Sequence, residues 1–407
     1  MQQSALQENP FVGLRPFNVK ESLLFFGRGA QTGELLERLY TRRFVSVVGR
    51  SGCGKSSLIL AGLIPKLKAG FLVADRDRWV VTTMKPGDRP LYNLAAAVLE
   101  AIGLDPTAAD FTARTDGLVE EVGAEGVRAL TARLAPVLGH RDANLLLLVD
   151  QFEEIFRFGA RARDDDDDAG EQDAAAVRQR DRAADFVSLM LALSEQRDVP
   201  VYVVMTMRSD FLGDCDAFRG LPEAMNHSQY LVPRLSTQQR EEAISGPIRL
   251  SGAAITPRLL DLVRNDVGDK LDQLPVMQHA MMRTWENWRV GDGGPVDVPD
   301  YLAAGTIRNA LSDEAEDVLR AMDEEGGGQR KLTMLVFQAL TNTDAENRRI
   351  RRPKRLRELE AITGAGGEQI MKIVSLFEGG GRSFLTVARD HARGNHLIDI
   401  SHESLIR

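Results

Sequence analysis

One short stretch near the start of the chain constrains its fold more than any other. Residues 44–48 form an apolar, β-branched run, which is typical of a buried strand. The pattern Gly49-x-x-x-x-Gly54-Lys55-Ser56 follows at once, and apolar residues then recur at helical spacing. Strand, glycine loop and helix in this order are the context in which such a pattern predicts a phosphate-binding loop.

The residue types of this loop suit a nucleoside triphosphate. Glycines let successive backbone N–H groups turn inward around a phosphate, and the following helix adds the partial positive charge of its N-terminus. Lys55 would reach the β- and γ-phosphates, and the Ser56 hydroxyl would ligate Mg²⁺. The structural alternative is a glycine turn that merely joins a strand to a helix, and the flanking pattern disfavours it. The loop residues predicted to bind the nucleotide are Gly49, Ser51, Gly52, Cys53, Gly54, Lys55, Ser56 and Ser57.

The composition is that of an ordinary soluble globular protein. With 407 residues, 43% hydrophobic and 27% charged, the chain is expected to form two to four domains. Its net charge of −8 does not indicate general electrostatic binding to nucleic acid. The two cysteines fit a reducing compartment. No signal peptide or membrane-spanning segment is expected, so we predict a cytoplasmic protein.

A second motif lies farther along the chain. The apolar run of residues 145–149 ends in Asp150, which is the Walker B form of a strand whose terminal carboxylate binds the Mg²⁺ shell. Glu153 and Glu154 follow closely, and one of the two could orient or deprotonate the attacking water. The alternative, a buried strand ending in an acidic turn, is disfavoured by the upstream loop.

Arg208 stands at the end of another predicted strand, residues 199–207. Ligands of an open parallel sheet lie outside the carboxyl ends of its strands, so this arginine is placed to meet the γ-phosphate. It could instead pair with Asp210 or Asp214 in a purely structural role.

The remaining pattern alternates strands and helices and then becomes mostly helical. Further strands are predicted at 79–84 and 229–232. Helices are predicted at 31–40 and 90–102, and an alanine-rich helical stretch continues from there to about residue 138. The later helices are predicted at 182–196, 236–245, 256–266, 274–289, 306–325, 331–341, 353–362 and 367–378. Residues 291–300 are predicted to be a linker. The acidic run 164–168 is predicted to be a solvated insertion rather than a metal site.

The last 80 residues combine helices, a basic run at 348–357 and a predicted hairpin formed by 384–387 and 396–400. Helices followed by a two-stranded wing predict a winged-helix domain. Beside such a domain a basic run would ordinarily suggest DNA contact, but the rest of the chain is acidic, which favours docking of the run against other domains. The chain ends within a starting helix, so we expect that it continues in the full protein.

Taken in order, several segments resemble one known family. They are NPFVGLRPF, FFGR, GRSGCGKSS, DQFEE, MRSDF, LPVMQHA and HESLIR, and together they span residues 9–407. The chain resembles the bacterial novel STAND NTPases, signal-transducing ATPases related to the NACHT and NB-ARC modules of NOD-like receptors. The resemblance implies an α/β P-loop NTPase domain of the ASCE type, with parallel strand order 5-1-4-3-2, followed by an α-helical domain and a winged-helix domain.

The resemblance also implies domain limits and residue roles. A lead segment, 1–42, would pack on the NTPase domain, 43–233, and the helical and winged-helix domains would span 234–305 and 306–407. The further roles that the resemblance implies are Mg²⁺ binding by Asp150, catalysis by Glu154 or less favourably Glu153, γ-phosphate sensing by Arg208, adenine contacts by Gly27, Arg28 and Pro275, and a β-phosphate contact by His402. Without the resemblance, His402 would be interpreted as a surface or capping residue.

These roles imply a switch. One ADP held by residues of three domains would keep the chain closed, and ATP would favour an open form that self-associates. Slow or regulated hydrolysis would then act as a timer, in bacterial signalling or antiphage defence. The expected ligands are ATP, ADP and Mg²⁺, with a sensor and an effector as protein partners, whereas nucleic acid and membrane partners are not expected. The alternative functions are an AAA-like, DNA-associated ATPase and a nucleotide-binding scaffold without catalysis.

Overall fold

The computed structural model describes residues 9–156, 169–268, 273–291, 293–324, 329–343, 349–379, 382–388, 396–401 and 405. Its central element is a sheet of five parallel strands, β1 to β5, numbered along the chain. These strands are Phe44–Gly49, Arg78–Met84, Ala143–Val149, Val201–Arg208 and Gln229–Leu231. Their spatial order is β2-β3-β4-β1-β5, which confirms the predicted order 5-1-4-3-2. The carboxyl ends of β1, β3 and β4 therefore meet at one edge of the sheet.

Helices cover both faces of this sheet. In the first part of the chain they are α1 (Gly29–Thr41), α2 (Lys55–Ser57, continued by a π-helical segment Leu58–Leu63 and by Ile64–Lys68), α3 (Pro90–Ala101), α4 (Phe111–Glu125), α5 (Val127–Arg141), α6 (Ala169–Glu195) and α7 (Leu221–Ser228). Alternate residues of one strand enter different cores, because strand side chains point to opposite faces. Leu146 and Leu148 pack with α1 and α2, whereas Leu145 and Leu147 pack with α3 to α6.

A helical unit follows the sheet. It contains α8 (Thr237–Leu250), α9 (Pro257–Val267), α10 (Leu274–Val290) and α11 (Val298–Ala303), which pack around the fully buried Trp285 and Tyr301. Two predictions for this region are corrected. The helix expected to end at residue 245 continues through Pro247, and the expected linker 291–300 carries the buried Val296, which forms a parallel bridge with Ile255.

The last part of the chain has its own core. Its elements are α12 (Thr306–Glu324), α13 (Gln329–Ala339), β6 (Thr341–Thr343), β7 (Arg349–Arg351), β8 (Lys354–Arg355), α14 (Leu356–Thr363), α15 (Gly367–Glu378), β9 (Leu385–Ala388) and β10 (Leu397–Ile400). The predicted antiparallel hairpin is present as β9 and β10, and β8 completes a three-stranded sheet. The winged-helix assignment and the domain limits remain predictions. The acidic run 164–168 lies outside the described residues.

The lead segment does not pack on the sheet unit alone. Phe11 is 2% exposed within the core of the helical unit, and Leu14 is 5% exposed within the core of the C-terminal part. Val12 and Phe17 pack with Ala61 of α2. Residues 11–17 therefore contact all three parts of the chain.

Candidate functional site

The phosphate loop joins β1 to α2 at the carboxyl edge of the sheet. Gly52 and Gly54 have φ of +69° and +90°, a region in which side chains other than glycine are strained. Lys55 begins α2, and its Nζ donates hydrogen bonds to the carbonyl oxygens of Gly49 and Arg50, both at 2.9 Å. The predicted strand, glycine loop and helix are therefore all present.

Arg28 braces this loop from the lead segment. It is only 4% exposed, and its guanidinium donates to the carbonyl oxygens of Cys53 at 3.0 Å and of Pro233 at 2.8 Å. Burial lowers the pKa of Arg28 from its ordinary value. Both carbonyls lie beside the carboxyl edge of the sheet, so Arg28 ties the loop to the segment that follows β5.

The two predicted metal ligands are in direct contact. Ser56 Oγ donates to Asp150 Oδ1 at 2.8 Å, and Thr206 Oγ1 donates to the same oxygen at 2.6 Å. Thr206 was not predicted from the sequence. It lies on β4 one residue beyond Met205, which pairs with Val149, so the strand register places it beside Asp150.

This hydroxyl and carboxylate pair fits Mg²⁺, a hard cation that prefers oxygen ligands and is usually held by one or two carboxylates together with substrate phosphates. Within the described residues, no group of three or more His, Cys, Asp or Glu could hold a metal ion by itself. A divalent ion at Ser56 and Asp150 would therefore depend on the phosphates of a bound nucleotide.

The two glutamates after Asp150 point to different neighbours in the sheet. Glu153 is 4% exposed, and its Oε2 accepts a hydrogen bond from the backbone N–H of Arg208, at the end of β4, at 3.3 Å. Glu154 Oε2 accepts from the backbone N–H of Gly87, just beyond β2, at 3.1 Å. Because β4 lies between β3 and β1 whereas β2 lies on the far side of β3, Glu153 is oriented toward the phosphate loop and Glu154 away from it.

The surroundings of Glu154 perturb its ionisation. Burial raises the pKa of this carboxyl above its ordinary value, against the opposing charge of Lys85 and the N–H of Gly87. The charge of Glu153 raises it further, and Arg351 from the C-terminal part lowers it. Residues from two parts of the chain thus act on this one carboxyl group.

Arg208 lies where the sequence predicted it, at the carboxyl end of β4. Its guanidinium forms an ion pair with Asp210, the structural partner that the sequence analysis left open. Burial is the largest single influence on the pKa of Asp210 and raises it, but the hydrogen bond and charge of Arg208, with smaller contributions from Ser209 and Arg50, together lower the pKa. Arg208 is thus held by Asp210 at the same edge of the sheet as Ser56 and Asp150.

A concave space of about 580 Å³, part of it open to solvent, lies beside the phosphate loop. Gly52, Cys53, Gly54 and Ser57 of the loop and its helix form one part of its wall. The remaining wall comes from the lead segment and the helical unit: Val12, Gly13, Arg15, Phe17, Leu24, Phe25, Phe26, Arg28, Leu235, Ala243, Leu274, Pro275, Met277 and Gln278. The cavity therefore has a polar loop at one side and mostly apolar residues elsewhere.

The three residues expected at the adenine lie at or beside this cavity, and Arg28 is one of its wall residues. Pro275 lines it from the first turn of α10, where a proline is tolerated. Gly27 has φ of +80° and does not line the cavity, but a Cβ at this position would lie 2.3 Å from the carbonyl oxygen of Gln239 on α8. Gly27 thus permits close approach of the lead segment to the helical unit. His402 lies outside the described residues.

The sequence was compared with known families and proteins. Residues 10–407 match the family model described as Novel STAND NTPase 1. No curated protein sequence matches the chain significantly. In the described part of the chain, every helix is too short or too polar to cross a membrane.

Solved structures with a similar arrangement have low identity to the chain. The ADP form of the Aeropyrum pernix ORC2 protein has 14% identity and a TM-score of 0.46, with 98% of this chain and 93% of that chain covered. A Walker-type ATPase of Pyrococcus abyssi has 10% identity and a TM-score of 0.43, with 96% and 97% covered. The Thermotoga maritima RuvB motor has 14% identity and a TM-score of 0.36, with 94% and 95% covered. Likeness at this level carries no information on function.

Proposed function

This chain belongs to the Novel STAND NTPase 1 family, and we propose that it is a switch ATPase whose domain contacts depend on whether ADP or ATP is bound. The observation that carries the proposal is the cavity beside the phosphate loop. Its wall is built by the loop, the lead segment and the helical unit. A nucleotide in it touches separate parts of the chain at once, so binding and the arrangement of these parts are thermodynamically linked.

The residues of the loop bind and orient the phosphates. Backbone N–H groups between Gly49 and Lys55 surround the β-phosphate, and the Lys55 ammonium reaches the β- and γ-phosphate oxygens. Ser56 and Asp150 hold Mg²⁺, which when bound neutralises charge on these oxygens. Thr206 fixes the carboxylate of Asp150 in its orientation through the 2.6 Å hydrogen bond.

Hydrolysis needs a group that orients the attacking water. The resemblance implies Glu154 for this role, whereas the contact of Glu153 with the end of β4 supports Glu153. Arg208, at the same end of β4, meets the γ-phosphate when the triphosphate is bound. An added γ-phosphate changes the arrangement of domains only through contacts that differ between the two states, and Arg208 and Lys55 supply such contacts. The resulting open form self-associates, and the place in bacterial signalling or antiphage defence rests on the resemblance alone.

The proposal is tested on the purified chain. Extraction and anion-exchange chromatography should identify ADP as the co-purifying nucleotide. Phosphate release should be slow, on the order of 10⁻² per second or less, the range of GTPases that lack an external activator. A non-hydrolysable ATP analogue should expand the particle in small-angle scattering relative to ADP. Lys55→Ala should lose nucleotide, and wild-type protein that binds no nucleotide would refute the proposal.

The second candidate, a DNA-associated ATPase, is motivated by the basic run 348–357. Several members of this run already have acidic partners within the chain. Arg351 pairs with Asp399 at 3.1 Å, and Lys354 pairs with Glu358 at 3.2 Å. These pairs favour docking within the molecule over phosphate binding. A DNA-stimulated turnover of many per second would favour the DNA-associated ATPase, and turnover unchanged by DNA would favour the switch.

A further inference from the structure

Gln278 stands out among the polar residues that line the cavity. It lies on α10 three residues after Pro275, so the two share one face of the helix. It is 9% exposed, and its Oε1 is enclosed and accepts no hydrogen bond from any described residue. A buried amide oxygen without a donor costs free energy, so a structure that retains one calls for an explanation.

The other polar side chains of the cavity wall are engaged. Arg15 forms an ion pair with Glu21, and Arg28 donates to two backbone carbonyls. Ser57 Oγ accepts a hydrogen bond from the backbone N–H of Phe17 at 3.2 Å. Among the described residues, Gln278 is thus the side chain of this wall with a buried oxygen that has no hydrogen-bond donor.

The position of Gln278 is at the apolar part of the cavity. Pro275 and Met277 adjoin it in sequence, and the aromatic residues of the lead segment complete this wall. The phosphates of a bound nucleotide are fixed at the glycine loop, so the apolar wall receives the base. A carboxamide carries one acceptor and one donor group side by side. Adenine presents the matching pair, its 6-amino donor beside a ring nitrogen acceptor.

We propose that Gln278 is a specificity-determining residue that binds the edge of the adenine base. This inference rests on the proposed function, because it needs a nucleotide in the cavity. Its Oε1 accepts from the 6-amino group, and its Nε2 donates to the neighbouring ring nitrogen. A base without the 6-amino group leaves the Oε1 atom of Gln278 without a hydrogen bond. A nucleotide with such a base is therefore bound more weakly than ADP.

The test compares ligands that differ by one group. Calorimetric titration of nucleotide-free protein would use ADP, purine riboside 5′-diphosphate, which lacks the 6-amino group, and 2′-deoxy-ADP. Wild-type protein should bind ADP about ten-fold more tightly than purine riboside 5′-diphosphate, the usual worth of one hydrogen bond. Gln278→Leu should bind the two with equal Kd, while its preference for ADP over 2′-deoxy-ADP stays as in the wild type.

Gln273→Leu is the matched control. Gln273 lies just before α10 and also has an enclosed, unpartnered Oε1 within the described chain, but it does not line the cavity. This variant should keep the wild-type preference for ADP.

Two results would overturn the inference. One is an equal loss on removing the 6-amino group in wild-type protein and in Gln278→Leu. The other is a Gln278→Leu variant that loses the preference for ADP over 2′-deoxy-ADP but keeps the preference for ADP over purine riboside 5′-diphosphate. This result would place the Gln278 side chain at the ribose. Failure of the proposed function looks different, because wild-type protein would then bind none of the three ligands, or Lys55→Ala would bind them unchanged.

Discussion

At the scale of single residues, the two glutamates after Asp150 have different surroundings. Glu153 contacts the end of β4, toward the phosphate loop, and Glu154 contacts Gly87 beyond β2. Sequence spacing did not decide between them, because adjacent residues in a turn leave in directions that only the tertiary contacts determine. The resemblance favoured Glu154, and the contacts favour Glu153.

We predict that Glu153→Gln lowers phosphate release by about 10²- to 10⁴-fold, the usual contribution of one general base. ATP binding should persist, because the amide keeps the size of the side chain and an oxygen acceptor. Glu154→Gln should lower the rate less than ten-fold. The rate of phosphate release at saturating ATP and Mg²⁺ is measured for both variants and for the wild type. The opposite ranking would assign the water to Glu154, and two unchanged rates would favour a scaffold without catalysis.

The raised pKa of Glu154 predicts how stability depends on pH. A carboxyl with a folded-state pKa above its unfolded value of about 4.3 retains its proton longer in the folded protein. Stability is therefore fully present below that value and falls as the pH rises through the folded pKa, because the unfolded state releases its proton first. Glu154→Gln cannot ionise, yet it keeps an acceptor for the Gly87 N–H.

Glu154→Gln should thus melt at a higher temperature than the wild type at pH 8, and the difference should shrink as the pH falls toward 4. Differential scanning fluorimetry across this range measures it. Glu120→Gln, at an exposed position of α4, is the control for removing one carboxyl group from the chain. A Glu154→Gln curve parallel to that of the wild type would mean that burial does not perturb this carboxyl.

At the scale of elements, the patterns of apolar residues predicted the fold well. The sequence predicted the strands around the two nucleotide motifs and most helices of the described chain. These elements are buried on one or both faces, so their apolar residues recur at regular spacing along the chain. Two errors have local causes. The helix predicted to end at residue 245 continues through Pro247, because Ala243, Ile244 and Ile248 are buried in the helical core and their packing outweighs the hydrogen bond that the proline removes.

The second error concerns a segment rich in glycine and proline. Residues 291–300 have the composition of a linker, but Val296 is fully buried and pairs with Ile255. A single buried side chain in a polar segment does not belong to any regular spacing of apolar residues, so its burial could not be predicted from the sequence. The same limit applies to Thr206, whose role depends on strand register, and to Gln278, whose role depends on a cavity between units.

Gly27 is where the lead segment meets α8, and the predicted effect of changing it is steric. In Gly27→Ala, the new Cβ would lie 2.3 Å from the Gln239 carbonyl oxygen, and the φ of +80° adds strain. We expect the lead segment to separate from the helical unit and the Kd for ADP to rise about ten-fold, with a loss of roughly 1–3 kcal/mol in stability. Calorimetric titration and thermal melting measure the two effects.

Gly29→Ala is the matched control for this substitution. Gly29 starts α1, and a Cβ at this position would meet nothing within 4 Å. Its ADP affinity should equal that of the wild type, and its stability should be equal or slightly higher, because alanine favours a helix. Equal behaviour of Gly27→Ala and Gly29→Ala would show that the close approach to α8 has no bearing on nucleotide binding.

At the scale of the whole molecule, the C-terminal part contacts the sheet unit next to Glu154. Arg355 Nη2 lies 2.6 Å from Asp88 Oδ2, and Asp88 follows Gly87, whose N–H donates to Glu154. The hydrogen bond to Glu154 and the ion pair with Arg355 therefore lie on adjacent residues of one loop. Phe11 and Leu14 of the lead segment are buried in the cores of the helical unit and of the C-terminal part, so the lead segment joins these two parts.

The last prediction concerns this ion pair. Partly exposed ion pairs contribute little stability, roughly 0–1 kcal/mol, so neutralising Arg355 should change little. Arg355→Glu places two like charges together and should favour the open form, with faster ADP release by several-fold and a larger radius of gyration in small-angle scattering. Adding Asp88→Arg restores a pair of opposite charges and should restore the release rate and the radius.

Arg357→Glu is the control, because it makes the same charge change at an exposed residue and should behave like the wild type. High salt should bring the ADP release rate and the radius of gyration of Arg355→Glu closer to those of the wild type, because screening weakens repulsion between exposed charges. If Arg355→Glu keeps the wild-type radius and ADP release rate at low salt, this contact does not hold the closed form, and closure depends on the apolar cores that the lead segment enters.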